Sequence, residues 1–224
     1  HTENIPIFVM GAGSNVLVRD GGFRGLIIKL GKSFNKLSLD NNLIHAGASI
    51  LDLNLSKFAL FNSLSNLEFF SGIPGSVGGA IKMNAGCYGS ETKDVLEKIS
   101  VITKNGTKRY LYKKDLDLTY RNSNLTDNDI ITSAVFKSNF GDKKTIKLII
   151  DNIKYKREKH QPLKNKTSGS TFKNPKGLHA AKLIEESGCK GLQIGDAQVS
   201  TKHANFFINL KRATAKNIED LGKT

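Results

Sequence analysis

The run Gly72-Ile73-Pro74-Gly75-Ser76-Val77-Gly78-Gly79-Ala80 constrains this chain more than any other stretch. It has too little side-chain volume to fill a core of its own, yet carries apolar residues that an ordinary exposed loop seldom needs. The space left by its glycines suits a flat or phosphorylated ligand, and a mobile surface loop is the plainer alternative. A second small-residue run, Gly11-Ala12-Gly13-Ser14-Asn15, follows the apolar residues Ile5 to Met10. Its Gly-x-Gly start lacks the third glycine of a dinucleotide fingerprint: the sixth position is Val16, and another apolar run follows where a helix is required. It reads instead as a tight strand-to-strand loop whose N–H groups converge on an anion, with Ser14 and Asn15 adding side-chain hydrogen bonds. A glycine-rich turn without any ligand explains that run equally well. Asn84-Ala85-Gly86 extends the later run and brings an amide toward the same ligand.

Around these runs the pattern alternates between strand and helix. Apolar stretches at 5–10, 16–18 and 26–30 predict strand, loop, strand, turn, strand. Ser49 followed by Asp52 predicts a capping box opening a helix through Ile50, Leu51, Leu53, Phe58 and Leu60, after which 72–89 reads as loop. Asn105-Gly106 between 99–103 and 109–112 predicts a hairpin with a primed turn. A strand is expected over 129–137. Ile146, Ile149, Ile150 and Ile153 then follow helical spacing until Pro162, which places a domain boundary near Ser138. Beyond it come a loop with Gly169-Ser170-Thr171-Phe172, a helix over 178–187 capped by Gly188, a strand over 204–209 and a helical start near Ala213.

Composition excludes several classes. No apolar run approaches the roughly 20 residues of a membrane span, so no membrane role is expected. The start of the chain lacks the features of a secretory signal. Cys87 and Cys189 stand far apart, which fits reduced, structural thiols in the cytoplasm. His1, His45, His160, His179 and His203 show no paired ligand spacing, so no metal is expected. The formal charge of +14 points to an anionic partner, either nucleic acid or a small phosphorylated ligand. The basic residues are scattered, and neither an aromatic RNA-binding strand nor zinc-finger spacing accompanies them. A solvated lysine-rich surface accounts for most of them.

Taken in order, Gly11-Ala12-Gly13-Ser14-Asn15-x-Leu17-Val18, Gly72 to Ala80, Asn84-Ala85-Gly86, Tyr120-Arg121-x-Ser123 and Gly169-Ser170-x-Phe172-Lys173-Asn174-Pro175 resemble the UDP-N-acetylenolpyruvoylglucosamine reductases. The stretch Ile194-Gly195 to Val199-Ser200-x-Lys202-His203-Ala204-Asn205 is also similar, so the likeness covers nearly the whole chain. It implies an α+β protein: an FAD-binding region of the vanillyl-alcohol-oxidase (PCMH) type over 1–137, then an α/β substrate-binding domain over 138–224. The implied reaction is NADPH-dependent, FAD-mediated reduction of UDP-N-acetylglucosamine enolpyruvate to UDP-N-acetylmuramate for peptidoglycan. The expected partner is a UDP-sugar rather than nucleic acid, and the expected state is a cytoplasmic monomer.

Carried over position by position, the resemblance assigns FAD contacts to Gly11, Ala12, Gly13, Ser14, Asn15, Ile73, Pro74, Gly75, Ser76, Gly78, Gly79, Asn84 and Gly86. Arg121 matches the catalytic arginine, whose fixed cation suits an enolate developing on the substrate carboxylate. Ser170 matches the proton donor. Tyr120, Arg121, Gln161 and Asn174 match substrate contacts. Without the resemblance, Arg121 reads as a surface ion-pair residue and Ser170 as a turn hydroxyl. Two family features find no match: an N-terminal segment with a Thr-x-x-x-x-Gly-Gly-like motif, and a strand bearing a catalytic glutamate beyond Ile218 to Gly222. Both are expected to be missing, and neither Glu219 nor any other acid takes the glutamate's role. The rival readings are an FAD-dependent sugar or alcohol oxidase of the same fold and a basic nucleic-acid-binding module.

Overall fold

The structure is a computed structural model that describes residues 5–224. Packing divides the chain into two units. One contains the residues up to Gly13 together with Gly25–Lys154, and the other contains Ser14–Arg24 with Tyr155–Thr224.

The first unit opens with strand β1 (Ile7–Val9), paired in parallel with β2 (Leu26–Ile28). Strands β3 (Leu37–Asp40) and β4 (Leu43–Gly47) form a hairpin. Helix α1 (Asp52–Phe61), the short strand β5 (Leu64–Ser65), helix α2 (Val77–Lys82), strands β6 (Gly86–Cys87) and β7 (Ser90–Glu91) and the helical turn α3 (Thr92–Val95) follow. Strands β8 (Leu96–Ile102), β9 (Lys108–Tyr112) and β10 (Ile130–Lys137) complete an antiparallel sheet of order β3-β4-β10-β8-β9. Strand β11 (Asn139–Phe140) pairs with β5, and helix α4 (Lys143–His160) runs from there toward Pro162. Ile44 and Ala46 of β4, Leu96, Ile99 and Val101 of β8, and Phe136 of β10 are buried against Leu55 and Ala59 of α1 and Val77, Ala80 and Ile81 of α2. This apolar burial is the main favourable term holding the glycine run in place.

The second unit carries helix α5 (Ala180–Glu186) and an antiparallel sheet of β12 (Gln193–Ile194), β13 (Ala197–Val199) and β14 (Phe207–Asn209). Helix α6 (Ala215–Lys223) packs on it through Leu221. Gly188, at φ 73°, ends α5 in a Schellman arrangement: its N–H donates to Glu185 O at 3.0 Å and that of Cys189 to Ile184 O at 3.2 Å. Thr214 caps α6 by accepting the Asn217 N–H.

Five expectations need correction. Residues 16–18 form no strand among the described residues. Leu17 and Val18 stay about half exposed, and the segment is tied to α6 instead, where Asp20 accepts the Ala215 and Lys216 N–H groups at 2.9 and 3.0 Å and Arg19 pairs with Glu219 at 2.6 Å. The Ser49–Asp52 capping box is absent, because the N-cap of α1 is Leu51 and Asp52 turns inward. The supposed loop 72–89 contains α2 and β6, whose apolar positions the core absorbs. The β8–β9 turn is a three-residue loop in which Gly106 alone takes positive φ, 77°, so it is not of the primed type. Finally, packing assigns residues to the second unit from Tyr155, within α4, and not from near Ser138. Ser138 is buried in the first unit, its N–H and hydroxyl both donating to Asn42 O.

Candidate functional site

In the first unit the two small-residue runs meet: a side chain added at Gly11 would strike the Ser76 hydroxyl, so only glycine permits the approach. Among the described residues, the backbone N–H groups of Gly11, Ala12 and Gly13 have no protein partner and all three residues are exposed, while Ser14 and Asn15 open the segment assigned to the other unit. Gly13 takes φ 76°. Such a row of unmatched donors is the chemistry an anionic diphosphate requires. The later run behaves differently. Its Val77 and Gly78 N–H groups are consumed by Ile50 O and Ala48 O at 2.9 Å each, so these two do not donate to an anion. Added side chains would lie 3.2 Å from the Ala48 Cβ at Gly78 and 2.7 Å from Asp52 Oδ2 at Gly75. The Ser76 hydroxyl is buried with no hydrogen-bond partner in the protein. Ile73 packs on the core edge, and Pro74 is exposed. An FAD diphosphate fits the open donors of the first run, with the unpartnered Ser76 hydroxyl beside them.

Beneath the run lies a group that sequence reasoning missed. Asp52 is fully buried, neither carboxylate oxygen finds a partner, and burial pushes its pKa well above the usual carboxylate range. Its place at a helix start made it look like a cap, and nothing in local sequence distinguishes the two.

Arg121 lines a cavity of about 350 Å³ with Gly86, Cys87, Glu91, Lys93 and Asp94. Its backbone stands at φ 54° in a tight turn, where Thr119 and Asn122 exchange two hydrogen bonds of 3.2 Å. Its guanidinium donates to Gly86 O at 2.8 Å and Asn84 O at 3.4 Å and lies 4.9 Å from the centre of the Tyr120 ring. Sequence reasoning gave no role to Glu91, which sits beside it. Burial alone would raise the Glu91 pKa, but hydrogen bonds from Lys93 and Asn84 and the charges of Lys93 and Arg121 outweigh it and keep it low. Asn84 departs from expectation. It is fully buried and its amide is committed within the protein, to Glu91, Thr119 and the Lys93 N–H, so it does not offer that amide to a ligand.

In the second unit, Ser170 and Asn174 line a cavity of about 560 Å³ with His179, Lys182, Glu185 and His203. Ser170 is exposed and bridges to Phe206, held in a loop whose backbone is fixed by Asn205. Asn174 spends its side-chain oxygen on the Ala180 N–H, fixing the start of α5. Gln161 accepts from Arg157 Nε at 3.0 Å and does not line this cavity. His203, within the Lys202 to Asn205 run, is a further residue that sequence reasoning left without a role. Burial, aided by His160 and Lys190, lowers its pKa against the pull of Glu185, so its imidazole is neutral at neutral pH. Its Nδ1 is buried without a partner. Among the described residues there is no cluster suited to a metal ion, and no helix is long and apolar enough to cross a membrane.

Known proteins resemble this chain in sequence and fold. Residues 161–224 match the family described as UDP-N-acetylenolpyruvoylglucosamine reductase, C-terminal domain, and residues 1–111 match the FAD binding domain family. The UDP-N-acetylenolpyruvoylglucosamine reductase of Rickettsia conorii is 45% identical over 220 residues, spanning 98% of this chain and 75% of that protein. That of Methylorubrum populi is 47% identical over 221 residues, 98% and 72% of the respective chains. The crystal structure of UDP-N-acetylenolpyruvylglucosamine reductase from Thermus caldophilus superposes with a TM-score of 0.91 at 38% identity, covering 99% of this chain and 81% of that one. The chain belongs to the UDP-N-acetylenolpyruvoylglucosamine reductase family of FAD-binding oxidoreductases.

Proposed function

We propose that this chain uses NADPH to reduce the enolpyruvyl double bond of UDP-N-acetylglucosamine enolpyruvate, giving UDP-N-acetylmuramate for peptidoglycan synthesis. The observation that carries this reading is the guanidinium of Arg121. Two backbone carbonyls fix it beside a cavity, and N–H groups remain over for a ligand. Bound FAD supplies hydride chemistry that no side chain can.

The protein's own residues do the rest. Gly11, Ala12 and Gly13 bind the cofactor's diphosphate through their unmatched N–H groups, while Gly75, Ser76, Gly78 and Gly79 flank its ring. Arg121 meets the substrate carboxylate, where negative charge grows as the neighbouring carbon accepts hydride; a cation held in advance lowers that barrier without reorganising. Tyr120 supports it from below the guanidinium plane. The Ser170 hydroxyl delivers the proton to the adjacent carbon. Asn174 holds the start of α5 beside it.

The test is a product assay. Protein loaded with FAD, incubated with NADPH and UDP-N-acetylglucosamine enolpyruvate, should convert the nucleotide sugar to a species heavier by one H₂ on mass spectrometry. Oxidation of sugar alcohols by oxygen, with no such product, would support the rival oxidase reading instead.

A further inference from the structure

Arg121 can meet a carboxylate only if its turn and its guanidinium are both held, and one buried residue touches both, the turn through its side chain and the guanidinium through its main-chain carbonyl. Asn84 has no exposed surface and takes φ 38°, a conformation that asparagine tolerates better than most residues. Its Nδ2 donates to Thr119 O at 3.0 Å, the carbonyl at the base of the Arg121 turn. The same Nδ2 donates to Glu91 Oε2 at 2.8 Å, and its Oδ1 accepts the Lys93 N–H at 2.9 Å. Its main-chain carbonyl accepts from Arg121 Nη1, and Gly86, two residues on, accepts from Nη2.

We propose that Asn84 is the positioning residue for Arg121, with its amide locking the turn that carries the arginine while its backbone carbonyl helps orient the guanidinium. The residue type follows from the bonds. Two donors and one acceptor are used on one short planar group, and no other side chain of this length offers both. Aspartate would turn two donors into acceptors facing the Glu91 carboxylate and the Thr119 carbonyl. Leucine would leave the Lys93 N–H without a partner and Thr119 O with only its bond from the Asn122 N–H. Because Asn84 is buried and its amide is committed, it acts through Arg121 and does not touch the substrate. The proposal rests on the assignment of Arg121 to the substrate carboxylate.

The experiment compares FAD-loaded wild type with Asn84→Gly, Arg121→Ala and the double variant. Glycine keeps the left-handed backbone and deletes only the amide. Flavin content, melting temperature, reduction by NADPH and reoxidation by UDP-N-acetylglucosamine enolpyruvate are measured separately. Asn84→Gly should retain flavin and be reduced by NADPH at close to the wild-type rate, while reoxidation by the substrate slows about 10- to 100-fold, as a misplaced reacting group would cause. The double variant should be no slower than Arg121→Ala alone, because the amide has no function once the arginine is gone. If glycine prevents folding, the isosteric Asn84→Asp loses the same two donors and should show the same pattern. Wild-type reoxidation in an Asn84 variant, or losses that multiply in the double variant, would overturn the proposal. Wild-type reoxidation in Arg121→Ala would overturn the assignment of Arg121 itself, so the two failures are distinguishable.

Discussion

Asp52 offers the sharpest physical test of the fold that carries the glycine run. Its carboxyl is fully buried, its oxygens have no hydrogen-bond partner, and a side chain at Gly75 would lie 2.7 Å from Oδ2. Burial raises its pKa well above the ordinary value of 3.8. Between those two values the folded state holds a proton that the unfolded state has released. The Asp52 contribution to wild-type stability must therefore fall as pH rises above about 4, by up to about 1.4 kcal/mol per pH unit, until the buried carboxyl ionises and the penalty levels off. Asp52→Asn has nearly the same shape and nothing to titrate. Its advantage over wild type should be smallest near pH 4 and grow with pH across that window. Between about pH 4 and neutral pH it should grow by at least about 1 kcal/mol, less than the worth of one pKa unit of differential protonation. Urea denaturation of both proteins by far-UV circular dichroism, at intervals from about pH 4 to about pH 8, measures the gap directly. Exposed carboxylates such as Asp20 and Asp142, whose pKa values are lowered by hydrogen bonds, titrate alike in both proteins and cancel in the difference. A gap that does not change with pH, or that moves against the variant as pH rises, would refute the reasoning.

Three further outcomes are expected. Arg121→Lys keeps the charge but cannot engage two carbonyls and a carboxylate with one planar fork; turnover should drop by ~2 to 4 kcal/mol of transition-state stabilisation with FAD still bound, as steady-state kinetics and absorbance would show. Ser170→Ala should leave reduction by NADPH near normal and slow reoxidation by the enolpyruvyl substrate at least ~100-fold, measured by stopped flow on each half-reaction. Asp20→Asn should lower the melting temperature at neutral pH, because the backbone N–H groups of Ala215 and Lys216 hold the carboxylate pKa down; the difference from wild type should shrink as pH falls through the carboxylate range.

Much of this was legible in the sequence where the signal was local. The helix over 143–160 showed as isoleucines at helical spacing ended by proline, and Gly188 marked the end of α5. What failed depended on distant partners. Residues 16–18 look like a strand because they are apolar, but no described neighbour offers a ladder, and Asp20 and Arg19 fasten the segment to a helix two hundred residues away in sequence. Asn84 looked like a ligand residue because it stands in a glycine-rich run, and only the positions of Glu91, Thr119 and Lys93 reveal that its amide faces inward. Motif order named the candidate residues, whereas burial shows which of their side chains are committed within the protein.

The most direct measurement of the central claim is the absorbance spectrum of the FAD-loaded protein under anaerobic conditions. Stoichiometric NADPH should bleach the flavin band, and UDP-N-acetylglucosamine enolpyruvate added afterwards should restore it without oxygen. Failure to bind FAD, or a bleached flavin that oxygen restores and the enolpyruvyl substrate does not, would contradict the account.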